Sequence, residues 1–280
     1  MPQDLNLNLD QTPLSYVCSA SHTLREKGAK SVPLLGKGKK KQITGMFTVT
    51  MSGLFLAVQL IHEGKTPQCL PLGISFPDNF NLTFTPNHWS IEDKVIEHLE
   101  KVFFPFIVEK RKELSLPDER KAILVFDVIK GQKTERVQHL IADNNCVCVF
   151  VPAHMTNYFQ PLDLTVNGPA KQFLKGKFQE WYAREIAKQV DKGIDVYSIH
   201  VNTKLSVVKP IHAHWLVGLC DHLQNKPEVI RKEFEMAGIV EVVTKEQEPE
   251  DPFEDLGRRS LSHFKLQSPL VSFLFEANSS

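Results

Sequence analysis

The sequence is short of cysteine and of long apolar runs, and each shortage excludes a class of protein. Its 280 residues contain five cysteines, an odd number at scattered positions, so a framework of structural disulfides is not expected and the thiols are predicted to be reduced. The longest apolar stretches, Leu54 to Val58 and Cys146 to Pro152, fall well below the ~18 to 20 residues of a membrane-spanning helix. No membrane is therefore expected as a partner.

Excess charge and a leader segment are lacking as well. Lys and Arg number 33, as do Asp and Glu, so the chain has no global positive charge of the kind that binds a nucleic-acid backbone. The first residues show no basic flank followed by an apolar run, which favours an intracellular protein. With 42% hydrophobic and 24% charged residues, the composition is that of a folded globular protein.

The first half of the chain predicts a mixed β-sheet. Leu5 to Asp10 alternates apolar and polar residues, which predicts a half-buried strand, and residues 42 to 61 predict a β-hairpin that pairs with it. Prolines and glycines across residues 64 to 87 predict a surface loop. Ala122 to Asp127 is an apolar run that ends in an acid, typical of a central strand covered on both faces. The helix and strand patterns that follow it predict a parallel crossover.

The second half predicts helices and then a tail. Pro161 suits the first position of a helix, and apolar residues recur at helical spacing from there to about residue 238. Between Glu241 and Leu256, seven acids accompany one lysine and two prolines, a composition typical of disorder. We therefore expect one domain over residues 1–240 and an acidic, disordered tail over residues 241–280.

Three aspartates are the candidates for chemistry. Asp10 and Asp127 end strands, and Asp163 lies in the first turn of a helix that follows a neighbouring strand, so the three side chains can converge at one edge of the sheet. Clustered carboxylates repel one another and are suited to Mg²⁺ or Mn²⁺, two of which would serve a phosphodiester displacement. Solvated or helix-capping roles for these aspartates stay open on this argument, as does an ordinary metal phosphatase or nuclease.

Several short motifs carry a resemblance to a known family. They are Asn8 to Pro13 (NLDQTP), Lys41 to Gly45 (KQITG), Asn87 to Ser90 (NHWS), Gln160 to Asp163 (QPLD) and Phe178 to Tyr182 (FQEWY). Together they resemble the pogo/Tigger branch of Tc1/mariner-type transposases, over about residues 5 to 239. The most specific part is QPLD followed by a helix that carries lysines.

The resemblance implies a fold, an activity and partners. The fold would be ribonuclease H-like, an α/β architecture with a mixed sheet flanked by helices and with additional helices at the C-terminus. Asp10, Asp127 and Asp163 would form the catalytic triad and bind two Mg²⁺ (or Mn²⁺) ions, with 35 residues between the last two acids. The activity would be metal-dependent DNA strand cleavage and strand transfer in the nucleus, on transposon ends and target DNA, by a homodimer.

An alternative and a set of DNA contacts complete the expectations. Members of this branch carry helix-turn-helix domains before the catalytic domain, whereas Met1 stands nine residues before Asp10, so a catalytic domain alone is expected. The alternative is a transposon-derived relic that no longer cuts and binds DNA, chromatin or protein. Candidate contacts to the DNA backbone are Lys39, Lys40, Lys41, Lys171, Lys175 and Lys177. For the run that ends at Lys41, a nuclear-import patch or a solvated loop stays open.

Overall fold

A computed structural model of the chain describes residues 1–18, 41–127, 133–152, 156–195 and 198–244. Lys39 and Lys40 lie outside these ranges, as do residues 245–280, which make up most of the predicted acidic tail. The last helix in the described part spans Ile239–Thr244 and buries Val243 in the core. The packed part of the chain therefore runs past residue 240.

Six strands form one mixed sheet. They are β1 Asn6–Ser15, β2 Gln42–Thr50, β3 Val58–Glu63, β4 Phe80–Thr85, β5 Ala122–Phe126 and β6 Cys146–Phe150. Their order across the sheet is β4-β3-β2-β1-β5-β6. Only β2 is antiparallel to its neighbours, because β3 pairs parallel with β4, and β1, β5 and β6 pair parallel with one another. This is the ribonuclease H-like arrangement that the resemblance implied, extended by β4 at one edge, and the predicted mixed sheet is confirmed.

Helices cover both faces of the sheet. They are α1 Glu92–His98, α2 Phe104–Glu113, α3 Glu135–Asp143, α4 Thr156–Phe159, α5 Pro161–Thr165, α6 Asn167–Asp191, α7 Leu205–Gln224, α8 Pro227–Met236 and α9 Ile239–Thr244. A π-helical turn, Leu99–Phe103, joins α1 to α2. Pro105, the second residue of α2, has no N–H to donate and would clash with the carbonyl of a regular turn before it. None of the helices in the described ranges has the length and apolar character needed to cross a membrane.

The strands separate two hydrophobic cores, which explains the apolar run in β5. Ile123 and Val125 pack with residues of α6, α7 and α8 on one face, whereas Leu124 and Phe126 pack with residues of α1, α2 and α3 on the other. A strand covered on both faces needs apolar residues at every position. The central strand predicted from this pattern is confirmed, and all five cysteines are free thiols, as predicted.

The interpretation of the first strand as half-buried is wrong. Its alternating polar residues are as buried as the apolar ones: Asn6, Asn8 and Asp10 are 1%, 0% and 4% exposed. The leucines between them face α1 and α2, and the polar side chains lie on the opposite face, beneath α5 and α6. A period of two only shows that a strand has two different faces, and here both faces are covered.

The loop predicted over residues 64–87 contains a strand. Residues Phe80–Thr85 form β4, which pairs in parallel with β3 at the edge of the sheet. The side chains of Asn81 and Thr83 donate hydrogen bonds to Glu97 of α1, and this holds the edge strand against the helix layer. The prolines lie on either side of this segment, so none of its six residues lacks a backbone N–H for the strand pairing.

Candidate active site

Asp10 and Asp127 are neighbours at the edge of the sheet where β5 ends, which is its carboxyl edge. The prediction that Asp10 also ends its strand is wrong, because β1 runs on to Ser15 and stays paired with β2 over that stretch. In the parallel pairing of β1 with β5, Leu9 lies opposite Phe126, so the next residue on each strand is an aspartate. The predicted convergence of these two acids follows directly from this register. Their charges interact, and Asp127 contributes to the electrostatics of Asp10.

The Gln-Pro-Leu-Asp motif fastens Asp163 to the same edge. The Gln160 side chain donates to the carbonyl of Leu9 at 3.2 Å, and the backbone N–H of Leu162 donates to Oδ1 of Asn8 at 3.0 Å. The Asn8 amide in turn donates to the carbonyl of Val125 at 3.0 Å. Since Gln160 and Asn8 are fully buried, these bonds fix the start of α5, and the third acid follows immediately.

Asn167 joins two of the three acids. Its side-chain N–H₂ donates to Oδ2 of Asp10 at 2.6 Å and to Oδ1 of Asp163 at 2.8 Å. Asn167 is the first residue of α6 and lies four residues after Asp163, one helical turn later. The structure therefore brings Asp10 and Asp163 together through a side chain that the sequence analysis did not single out.

The three carboxylates differ in their contact with solvent. Asp10 is buried, Asp127 is partly exposed and Asp163 is exposed. The pKa of the Asp10 carboxyl is raised from 3.8 to about 7, mainly by burial and also by the charges of Asp163 and Asp127, while hydrogen bonds from the Gln11 backbone and Asn167 oppose the rise. The inner end of this acidic edge therefore resists negative charge, while its outer end faces water.

Hard oxygen ligands dominate this edge. Carboxylate and amide oxygens are the groups that Mg²⁺ and Mn²⁺ prefer, and Oδ1 of Asn167 is buried without a hydrogen-bond partner among the described residues. Within those same ranges, no three His, Cys, Asp or Glu side chains are close enough to one another to form a complete ion cage. The residues thus suit a divalent cation in kind, with Asp10 and Asp163 as the closest pair.

A fourth carboxyl lies behind the edge. Glu233 of α8 is fully buried, and neither of its oxygens has a hydrogen-bond partner in the described ranges. Its pKa is raised from 4.5 to about 9, mainly by burial, with the charges of Asp10 and Asp163 adding to the rise and the nearby Thr165 hydroxyl opposing it. The hydroxyl of Thr165 in α5 donates its hydrogen bond to the carbonyl of Val229, which ties α5 to α8.

The predicted lysine contacts divide between two faces of α6. Lys171 and Lys175 line a groove of about 360 Å³ that also includes Ser15 at the end of β1 and Gln42 at the start of β2. Lys41 directly precedes that strand. Lys177 lines a different groove, lies over the Phe173 ring and pairs with Glu180 at 3.2 Å. The first groove leads away from the acidic edge, since Lys171 lies one helical turn beyond Asn167.

Sequence reasoning missed two polar residues of this region, Asn167 and Glu233. The four-residue interval between Asp163 and Asn167 was a usable signal, because side chains at this spacing share a helical face. No comparable signal marks Glu233, which lies in a helix whose other acids, Glu228 and Glu235, are exposed. Its position depends entirely on how α8 packs against α5.

Comparison with known protein families places the chain in one of them. The family described as "DDE superfamily endonuclease" matches residues 40–234, a span that contains β2 to β6 and two of the three aspartates. The chain belongs to this family. The resemblance inferred from the sequence motifs is thereby confirmed at the level of the family.

Two curated relatives are pogo-type proteins. The chain is 26% identical over 175 residues to "Pogo transposable element with KRAB domain" from Homo sapiens, and 25% identical over 175 residues to the protein of the same description from Mus musculus. Each match covers 62% of this chain and 27% of the relative. The chain therefore spans about a quarter of the length of these relatives, and the predicted resemblance to the pogo branch is confirmed.

Solved structures of Mos1 transposase are also similar. A pre-cleavage Mos1 transpososome has a TM-score of 0.44 at 12% identity, with 80% of this chain and 56% of that chain covered. The catalytic domain of Mos1 mariner transposase has a TM-score of 0.39 at 10% identity, with 80% of this chain and 83% of that chain covered.

Proposed function

We propose that this DDE superfamily domain cleaves DNA strands and joins them by transesterification, with Asp10, Asp127 and Asp163 as its metal-binding catalytic acids. The observation that supports it best is the meeting of the three at one edge of the sheet: Asp10 and Asp127 adjacent in register, and Asp163 tied to Asp10 through Asn167. Asp10 lies on the central strand β1, Asp127 directly follows its parallel neighbour β5, and Asp163 lies in the first turn of α5. The three side chains therefore meet only in the folded protein.

The residues fit Mg²⁺ or Mn²⁺, two ions in the proposed scheme. The three acids offer carboxylate oxygens, which are hard ligands of the kind that these ions prefer. Asp10, Asp127 and Asp163 would hold the ions, which when bound would favour ionisation of the attacking hydroxyl and stabilise charge on the leaving oxygen.

The chain's own residues supply position and access. Asp10 lies on a strand hydrogen-bonded on both sides, so its carboxyl has little freedom to move. Exposed Asp163 and partly exposed Asp127 leave the outer side of the edge open, where a phosphodiester of a large polymer could reach it.

Lysines near the edge support DNA as the substrate. Lys171 and Lys175 line the groove that begins about one helical turn beyond Asn167, where they would neutralise backbone phosphates. Lys41 would extend this basic surface, because it directly precedes Gln42 of the groove. Lys39 and Lys40 remain candidates from the sequence alone. We place Lys177 last among the candidates because it pairs with Glu180 on another face of α6. Transposon ends and target DNA, a homodimeric assembly and a nuclear location complete the proposal.

A cation titration combined with a nicking assay tests the proposal. Wild-type protein should bind Mn²⁺ in calorimetry and nick supercoiled plasmid only when Mg²⁺ or Mn²⁺ is present. Asp127→Asn should abolish nicking and weaken Mn²⁺ binding without unfolding the protein. The matched control is Asp143→Asn, which changes an exposed aspartate at the end of α3, by the opposite edge of the sheet. Equal nicking by the Asp127 variant and wild type would refute the site.

A silent DNA-binding relic is the second candidate. It is favoured by the lack of a complete three-acid ion cage in the described part of the chain. In that case DNA binding would persist in EDTA and survive replacement of all three aspartates, and no nicking would occur. The same purified variants therefore separate the two functions.

A further inference from the structure

Asn167 occupies the space between two acids that would otherwise repel each other. It is 2% exposed, and one nitrogen, Nδ2, contacts Oδ2 of Asp10 at 2.6 Å and Oδ1 of Asp163 at 2.8 Å. The two carboxylate oxygens are therefore no farther apart than the sum of these two distances. Ionised carboxylates only accept hydrogen bonds, so the N–H₂ end of the amide, with its two donors, is the end that must face them.

This bridge has a specific electrostatic effect. Asp10 is fixed in a central strand, whereas Asp163 lies at an exposed helix start, so repulsion between the two charges would move Asp163 outward. A neutral donor that serves both oxygens at once opposes that movement. It keeps an open carboxylate beside a buried one before any cation is present.

The other end of the amide points to the same role. Oδ1 of Asn167 is buried and has no hydrogen-bond partner within the described ranges. A buried acceptor without a partner costs stability, so an asparagine here is a poor choice for stability alone.

We infer that Asn167 is the positioning residue of the acidic edge: it holds Asp10 and Asp163 as a pair so that both carboxylates can serve one cation. The inference rests on the proposed function, because it concerns the cation that the acids would bind. Asp127 reaches the edge by strand register and does not depend on this amide.

The first test measures cation binding without DNA. Mn²⁺ is titrated into wild type and Asn167→Ala by calorimetry. Loss of the bridge should weaken Mn²⁺ binding tenfold or more, the range found when a partner that orients a metal ligand is removed. The matched control is Asn144→Ala, since the Asn144 amide donates to a backbone carbonyl at the end of α3. The control should bind Mn²⁺ like wild type.

The second test examines the cation-free protein. In EDTA, unfolding constants are measured for Asn167→Ala, for Asp163→Ala and for the double variant. If the amide pairs the carboxylates, the fold-change in the unfolding constant of the double variant should differ from the product of the two single fold-changes. For the control pair, Asn144→Ala with Asp163→Ala, the fold-change of the double variant should equal that product. In ¹⁵N spectra, the Asn167 side-chain N–H₂ signals should also shift on addition of Mg²⁺, and those of Asn144 should stay unchanged.

The possible results are distinguishable. Unchanged Mn²⁺ affinity in a folded Asn167→Ala variant would overturn the inference. The inference would also fail if, in EDTA, the fold-change of the double variant in the unfolding constant equalled the product of the two single fold-changes. Wild-type protein that binds no Mn²⁺ would refute the proposed function itself. The EDTA experiment would then still decide whether Asn167 pairs the two carboxylates.

Discussion

The buried carboxyl of Glu233 allows a stability prediction that needs neither cation nor DNA. Its pKa is about 9 in the folded protein and 4.5 in an exposed chain, mainly because the group is buried. The folded state therefore holds this proton more tightly than the unfolded state does. The contribution of Glu233 to the free energy of unfolding is therefore fully present below pH 4.5 and is lost as the pH rises from there to about 9.

The magnitude follows from the two pKa values. Each pH unit above 4.5 costs the folded protein about 1.4 kcal/mol until the pH reaches about 9, so the cost at neutral pH is about 3 kcal/mol. Glu233→Gln keeps the shape of the side chain and removes the titration. Any penalty for burying the amide is the same at every pH. The change with pH in the difference between the two free energies of unfolding therefore reports on the carboxyl of Glu233 alone.

Urea unfolding at several pH values measures this difference. Between about pH 5.5 and pH 8.5, the free energy of unfolding of Glu233→Gln should rise relative to wild type by about 4 kcal/mol. Glu235→Gln is the control, because Glu235 is exposed on the same helix. A difference between Glu233→Gln and wild type that stays constant across this range would show that Glu233 is not held protonated by its surroundings.

Three further predictions concern other parts of the molecule. Asn8→Ala leaves the Leu162 N–H without this partner and removes the side-chain bond to the Val125 carbonyl, so unfolding should become about 2 to 3 kcal/mol easier in urea; a loss below about 0.5 kcal/mol would contradict the bonds. The double variant Lys171→Gln, Lys175→Gln should bind DNA more weakly in a filter-binding assay, and its affinity should depend less steeply on salt concentration. Lys177→Gln should change neither; an equal loss of affinity in both proteins would show that the groove does not contact DNA. Burial lowers the pKa of His212 from 6.5 to about 3, so stability is lost as the pH falls below 6.5, and His212→Phe should lose about 1.4 kcal/mol less per pH unit there; parallel acid-unfolding curves would argue against this.

Local patterns in the sequence predicted what depends on local physics. The apolar run of β5 indicated a strand covered on both faces, and the rule that parallel strands share a carboxyl edge placed Asp127 beside Asp10. Both follow from the chain within a few residues of each acid. The same applies to Pro161 at the first position of α5 and Asp163 in its first turn.

Features that depend on packing between distant segments could not be predicted. The alternation in β1 is the same whether its polar face meets water or α6, so the burial of Asn8 was not visible. The contact of Asn167 with Asp10 needs the start of α6 to lie over β1, 157 residues away in the chain. β4 was hidden by the turn residues around it, and only its parallel pairing with β3 defines it as a strand.

The central position of β1 determines when during synthesis the acidic edge can exist. Asn8 bonds to a carbonyl 117 residues later and to an N–H 154 residues later, and Asp10 meets its amide partner later still. Contacts between such distant residues form slowly, because the long intervening chain must close first. A nascent chain that ends before α6 contains all three acids but cannot pair Asp10 with Asp163 through Asn167. The assembled edge is thus absent from every nascent chain in which Asn167 has not yet been added.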